Sequence, residues 1–266
     1  MKIVTVKKEK LDYRTEEAFK SLRTNIQFCG EDKKVIVITS SMPSEGKSSV
    51  SLNLAVSLTE VGKRVLFIDA DLRKSMLAGR LKAIGRIQGL THFLSRQEEL
   101  DTIVYETDVP NLRLILAGAV PPNPAELLGG ALFDEMLTKV RKEYDYIIID
   151  TPPLGSVIDS AVIARKCDGA ILVIESDAVS YRFVQSVKQQ LSKSGCPILG
   201  AVLNKVDYNV NVKYGKYYGE YGDESEEIVQ LEAQQTNQPV SEAVTETVNE
   251  TVKETVNLTV NETTAE

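Results

Sequence analysis

Six short apolar runs, many of their residues β-branched, recur along the chain: VIVIT at 35–39, VLFID at 65–69, LRLIL at 112–116, YIIID at 146–150, AILVI at 170–174 and ILGAVL at 198–203. A strand that is apolar at nearly every position has no face to give to water, so both faces must be covered. Between these runs the apolar residues follow helical spacing, over 15–28, 47–61, 124–142, 157–166 and 181–194. Gly62 and Gly195 stand where a helix stop is expected. Strands alternating with helices predict an α/β fold, a doubly wound and mostly parallel sheet with helices on both sides.

The first run leads directly into SMPSEGKSS, in which Ser41, Gly46, Lys47 and Ser48 occupy the GxxxxGK[ST] frame with serine in place of its first glycine. A strand before and a helix after are the context this loop needs to wrap phosphates with backbone N–H groups and a helix amino terminus. Ser44, Glu45, Gly46, Lys47, Ser48 and Ser49 are therefore the expected nucleotide-binding residues. Lys47 would neutralise the β and γ oxygens of ATP, and the Ser48 hydroxyl would ligate Mg2+. The second run ends in VLFIDADLR, which puts Asp69, Asp71 and Arg73 at the carboxyl edge of the sheet, where open α/β folds bind ligands. YIIID ends in Asp150, an acid after an apolar strand, and is followed by TPP. Lys47, Asp69, Asp71 and Asp150 are the expected catalytic residues, with Ser48, Asp69 and Asp150 serving the metal.

Composition narrows the chemistry. His92 is the only histidine, so triads and histidine-based metal sites are ruled out. Cys29, Cys167 and Cys196 form no CxxC pair and fit reduced structural thiols. The net charge of −7 is concentrated beyond Gly222, where eleven acids face one lysine, leaving +3 for residues 1–222. No nucleic-acid groove is expected from so mild a balance. No run of 18 apolar residues and no apolar leader is present, so the chain is expected in the cytoplasm.

Five of the ten tyrosines, Tyr208, Tyr214, Tyr217, Tyr218 and Tyr221, crowd together among glycines and charges with no apolar face to bury them. Tyr13, Tyr105, Tyr144, Tyr146 and Tyr181 fall in or near predicted elements and are expected to be structural. Further on, TETVNETVKETVNLTVNET repeats every four residues, a period that fits neither a helix face nor a strand, and a disordered acidic tail is expected over 223–266.

Two other P-loop classes can be weighed in the residues. Asn204-Lys205-Val206-Asp207 is the NKxD with which GTPases read guanine. The DxxG glycine they also need falls on Pro153, which has no N–H to give a γ-phosphate, though Asn204 can still touch the purine. Partitioning and cell-division ATPases share the DxD strand and the TPP turn, but their extra P-loop lysine falls on Met42. A nucleotide-dependent regulator whose tyrosines are modified by another kinase remains as a non-enzymatic alternative.

Over residues 12–222 the chain resembles the bacterial tyrosine kinases of capsular and exopolysaccharide synthesis, a P-loop NTPase fold of the deviant-Walker type. The resemblance rests on EAFKSLRTNIQF at 17–28, VLFIDADLR at 65–73, LAGAVPPNPAELL at 116–128, the P-loop and the tyrosine cluster. It implies an ATP- and Mg2+-dependent autokinase whose substrates are Tyr208, Tyr214, Tyr217, Tyr218 and Tyr221 of a neighbouring protomer. It also implies an amino-terminal ExxRxxR helix that packs protomers into a ring; here Glu17, Lys20 and Arg23 hold those positions, the middle arginine being a lysine. Its partners would be a membrane-embedded polysaccharide co-polymerase whose cytoplasmic end activates the kinase at the inner face of the membrane, and a protein-tyrosine phosphatase. The expected organisation is an oligomerisation and activator-contact segment over 1–30, a kinase domain over 31–207, the tyrosine cluster over 208–222 and the tail over 223–266.

Overall fold

The computed structural model of the chain describes residues 3–6, 11–75, 77–80 and 87–207. The expected tyrosine cluster and acidic tail lie outside these residues. Among the described residues the chain opens with β1 (Ile3–Val4) and α1 (Tyr13–Phe28), followed by β2 (Val35–Ser40), α2 (Lys47–Glu60) and β3 (Val65–Asp69). Next come the short helices α3 (Leu77–Arg80), α4 (Leu90–Leu94) and α5 (Leu100–Ile103), then β4 (Val104–Thr107) and β5 (Leu112–Ile115). The remainder runs α6 (Pro124–Gly129), α7 (Ala131–Val140), β6 (Tyr146–Asp150), α8 (Asp159–Ala164), β7 (Gly169–Glu175), α9 (Tyr181–Ser192) and β8 (Ile198–Asn204).

The strands form one sheet in the order β1-β4-β5-β3-β6-β2-β7-β8. Every neighbouring pair is parallel except β4 with β5, which is antiparallel. All six expected strands are present. The mostly parallel sheet is as expected, and its antiparallel edge is made by strands the sequence did not mark: β1 has only two residues and β4 is half-buried at three of its four positions, so neither presents a long apolar run. Alternate residues of the central strands enter two separate cores. Val35, Val37, Leu66, Ile68, Ile147 and Ile149 pack under Leu128, Phe133, Ile163 and Leu191 of α6 to α9. Ile36, Ile38, Phe67 and Ile148 pack under Ile26 of α1 and Leu54 and Leu58 of α2. Each fully buried side chain of this kind contributes about 1.5–3 kcal/mol relative to exposure, which is why two-faced strands settle in the middle of the sheet.

The expected helix over 124–142 is two helices. Gly130 is extended (φ −73°, ψ 166°) and ends α6 while starting α7, a break made cheap by the Gly129-Gly130 pair. The expected 157–166 helix is shorter, Asp159–Ala164. Among the described residues no helix is long and apolar enough to cross a membrane.

Candidate active site

The parallel strands deliver their carboxyl ends to one edge, and β2, β3, β6, β7 and β8 each end there in a polar segment. The loop after β2 turns on two left-handed residues, Ser44 (φ 68°) and Gly46 (φ 88°). Glycine is required at the second: a Cβ there would lie 2.1 Å from Asn204 Nδ2. Gly46 caps α2, whose first turn aims its N–H groups back at the loop with the positive end of the helix dipole.

The outer side of the loop is held by hydrogen bonds. Lys205 Nζ donates to Ser44 O at 2.8 Å, and Asn204 Nδ2 donates to Glu45 O at 2.9 Å. The buried Glu45 carboxylate accepts from the backbone N–H of Met42 at 2.6 Å and of Glu175 at 3.3 Å. Ser40 Oγ donates to Met42 O at 2.8 Å. Ser41 Oγ, where the P-loop frame has glycine, is buried and finds no partner among the described residues. The turn after β6 presses on the same loop, since a Cβ on Gly155 would lie 2.1 Å from Ser41 O. That turn is tied to β2 by Thr39 Oγ1 donating to Pro152 O at 2.9 Å and Thr151 Oγ1 donating to Ile38 O at 2.8 Å.

Three carboxylates converge beside the loop. Asp69 and Asp150 end adjacent strands in register, both buried. Burial pushes Asp69 up to about 7, with the Asp150 charge adding to the rise. Asp150 is pushed up to about 6, again mainly by burial, while Lys47 and hydrogen bonds from Ser48 and Ser51 hold it down. Asp69 accepts from the Ser75 hydroxyl and from Asp71 N at 3.2 Å. Asp71 Oδ2 faces Lys47 Nζ at 3.6 Å, and its Oδ1 accepts from Lys74 N at 3.0 Å. Arg73 reaches from the same segment to α8, where it grips the fully buried Asp159 with two bonds of 2.7 and 2.9 Å. The result is a loop leading into a helix start, a cation paired with a carboxylate beside it, and a buried carboxyl group that takes up a proton near neutral pH, a set that can serve phosphoryl transfer.

The structure thus brings together Lys47, Ser48, Asp69, Asp71 and Asp150, and places Ser44, Glu45, Gly46 and Asn204 around the same loop. Glu45 and Asn204 spend side-chain groups on the loop itself. Among the described residues no three His, Cys, Asp or Glu side chains form a metal cage, so a metal would draw on the Ser48 hydroxyl and phosphate oxygens as well as carboxylates. On α1, Glu17 and Lys20 pair with each other at 2.6 Å, whereas Arg23 turns inward to Ser57 O (2.7 Å), Ser57 Oγ (3.0 Å) and Glu60 (3.6 Å). Tyr208, Tyr214, Tyr217, Tyr218 and Tyr221 lie outside the described residues. Of the tyrosines expected to be structural, Tyr105, Tyr144 and Tyr146 are buried, but Tyr13 and Tyr181 are exposed at helix starts, where a ring has no core to enter. Sequence reasoning missed Ser51, Ser75, Asp159, Glu175 and Lys205; only Lys205 lay inside a motif already in view.

A family profile described as an AAA domain matches residues 33–194. The chain is similar to the tyrosine-protein kinase CpsD of Streptococcus agalactiae, 47% identical over 204 residues that cover 77% of this chain and 89% of that protein. It is similar in structure to the kinase domain of the Escherichia coli tyrosine kinase ETK, with a TM-score of 0.67 and 32% identity over 72% of this chain and 77% of that one. The septum site-determining protein MinD of Pyrococcus horikoshii, solved with Mg-ADP, aligns with a TM-score of 0.54 and 27% identity over 64% of this chain and 69% of its own.

Proposed function

Because the chain belongs to the bacterial tyrosine kinases, we propose that it transfers the γ-phosphoryl group of ATP to Tyr208, Tyr214, Tyr217, Tyr218 and Tyr221 of a neighbouring copy, and thereby regulates capsular or exopolysaccharide synthesis and export. The observation that carries this reading is the convergence of Lys47, Asp69, Asp71 and Asp150 on one phosphate-binding loop. In the reaction the tyrosine oxygen forms a bond to Pγ as the bond from Pγ to the β–γ bridging oxygen breaks, releasing ADP. The phenol, whose pKa is near 10 in water, must give up its proton as it attacks, and the Asp69 carboxylate is the acceptor. Lys47 leaves Asp71 to neutralise the β and γ oxygens, and Asp71 then holds the entering hydroxyl. The backbone N–H groups of residues 44–49 orient the phosphates. Mg2+, held by Ser48 with Asp69 and Asp150 beside it, would supply charge neutralisation on the transferred group.

The chain between Val206 and Tyr214 spans eight residues, at most about 28 Å when extended, so a tail starting beside the loop can reach a site of its own or of a neighbour. The family resemblance favours the neighbour, within a ring in which Glu17, Lys20 and Arg23 contribute. The same resemblance proposes activation by the cytoplasmic end of a membrane-embedded co-polymerase at the inner membrane face, and reversal by a phosphatase. Incubation with γ-labelled ATP and Mg2+, with and without a fused adaptor segment, tests the whole. Label on tyrosine that disappears in Lys47→Met is expected. Label that persists in that variant means another kinase modifies a nucleotide-dependent regulator.

A further inference from the structure

The chain contains the four residues with which GTPases read guanine, and in this structure the first two of them, Asn204 and Lys205, hydrogen-bond to the loop after β2. Lys205 adopts left-handed backbone (φ 57°), a conformation that a non-glycine residue keeps only when its surroundings demand it. That turn carries its ammonium group back over the phosphate loop, where Nζ donates to Ser44 O at 2.8 Å and pairs with Glu175 at 2.9 Å. Glu175 ends β7 opposite Asn204 of β8, and Ser176 N donates to Asn204 O at 2.9 Å, so the anchor is the paired end of two strands.

A trans peptide points its carbonyl and the following N–H in opposite directions. A cradle that turns N–H groups inward must therefore turn the preceding carbonyls outward. Fixing Ser44 O outward fixes the Glu45 N–H inward, and fixing Glu45 O outward does the same for the Gly46 N–H. Lys205 holds the first carbonyl and Asn204 the second. Released, either peptide can rotate and present an oxygen to the phosphate.

We infer that Lys205, anchored by Glu175, is a positioning residue that pre-forms the phosphate loop, so that nucleotide binds a cradle already turned inward. The inference rests on the nucleotide site proposed above. Binding to a loop that is competent only part of the time weakens the apparent affinity by that fraction, whereas the bound, ordered loop performs the same chemistry. The signature is therefore a change in nucleotide affinity without a matching change in kcat.

The test is titration of a fluorescent ATP analogue with Mg2+ into the full chain, alongside autophosphorylation rates at saturating ATP. Lys205→Met is expected to weaken binding about five- to tenfold while kcat stays within about twofold, and Lys205→Arg, which can still donate to Ser44 O, to restore the affinity. Both side chains are partly exposed, so the fold should persist. If Lys205→Met nonetheless melts early, Glu175→Gln, which keeps the cation but loosens its anchor, decides by the same titration with an expected weakening of about two- to threefold. Unchanged affinity in the deciding variant, loss of kcat at unchanged affinity, or an arginine variant as weak as the methionine one overturns the brace. A wild-type chain that binds no nucleotide overturns the proposed function first and the brace with it.

Discussion

At the scale of single residues the site is governed by where charge is buried. Asp69 and Asp150 end neighbouring strands, so each is surrounded by strand and helix rather than water, and both take up protons far more readily than free carboxylates. The linkage follows directly. A carboxyl group whose folded pKa is about 7 against an ordinary 3.8 adds stability that is complete below 3.8 and lost as pH rises through 7. The nucleotide-free protein should melt at a lower temperature at pH 8 than at pH 6, and Asp69→Asn should flatten that difference; scanning calorimetry at several pH values checks it. The same variant should lose about two to four orders of magnitude in phosphotransfer rate while still binding nucleotide, as measured by label incorporation beside a binding titration. Both effects belong to a residue that the sequence marked as chemical, although nothing in VLFIDADLR alone states that its carboxyl group is buried against a second one.

At the scale of elements, the strands and the helix after the phosphate loop were legible because their signals are local. A run apolar on both faces means a covered strand, and the loop must start a helix. The edge strands β1 and β4 were not legible, since β4 is made a strand by pairing with β5, and β1 by pairing with β4, rather than by their own sequences. The break at Gly130 was passed over for another reason: apolar helical spacing continues through it, although the Gly129-Gly130 pair marks it locally. The first helix shows how an element is docked. Arg23 gives two hydrogen bonds to Ser57 of α2, so Arg23→Ala should cost about 1–2 kcal/mol of stability in denaturant unfolding, whatever it does to assembly. A second element, the turn after β6, is held against the phosphate loop by the absence of a side chain at residue 155. Gly155→Ala should push the two apart, lowering stability by about 1–3 kcal/mol and weakening nucleotide binding with it, in the same unfolding and titration measurements.

At the scale of the whole molecule, Met1–Asp207 forms one compact unit with both cores complete inside it. A chain ending at Asp207 should therefore melt at the temperature of the full chain while losing label on the tyrosine cluster. Each added phosphate brings about −1.5 to −2 charge at neutral pH, so full modification adds roughly −8 to −10 beside a segment that already carries ten net negative charges. Repulsion on that scale should loosen the ring of protomers proposed above. Light scattering should give a smaller mass for the phosphorylated protein than for a variant with all five cluster tyrosines changed to phenylalanine, and equal masses would remove this regulatory role.

What the sequence determined by itself was whatever a short window encodes: the period of apolar residues, the P-loop frame with a strand before and a helix after, and acids placed at strand ends. Those signals were enough for the fold class and for naming the residues that the structure gathers around the loop after β2, while the reaction class needed the resemblance to a family as well. What only the tertiary structure decided was set by contacts between distant parts of the chain. Asn204 holds Glu45 across 159 residues, Arg73 holds Asp159 across 86, and the Asp150 charge raises the affinity of Asp69 for protons because adjacent strands end together. The physical reason is that hydrogen bonding, burial and charge interaction depend on distance in space, which strand order sets, and no local pattern in this chain specifies that order.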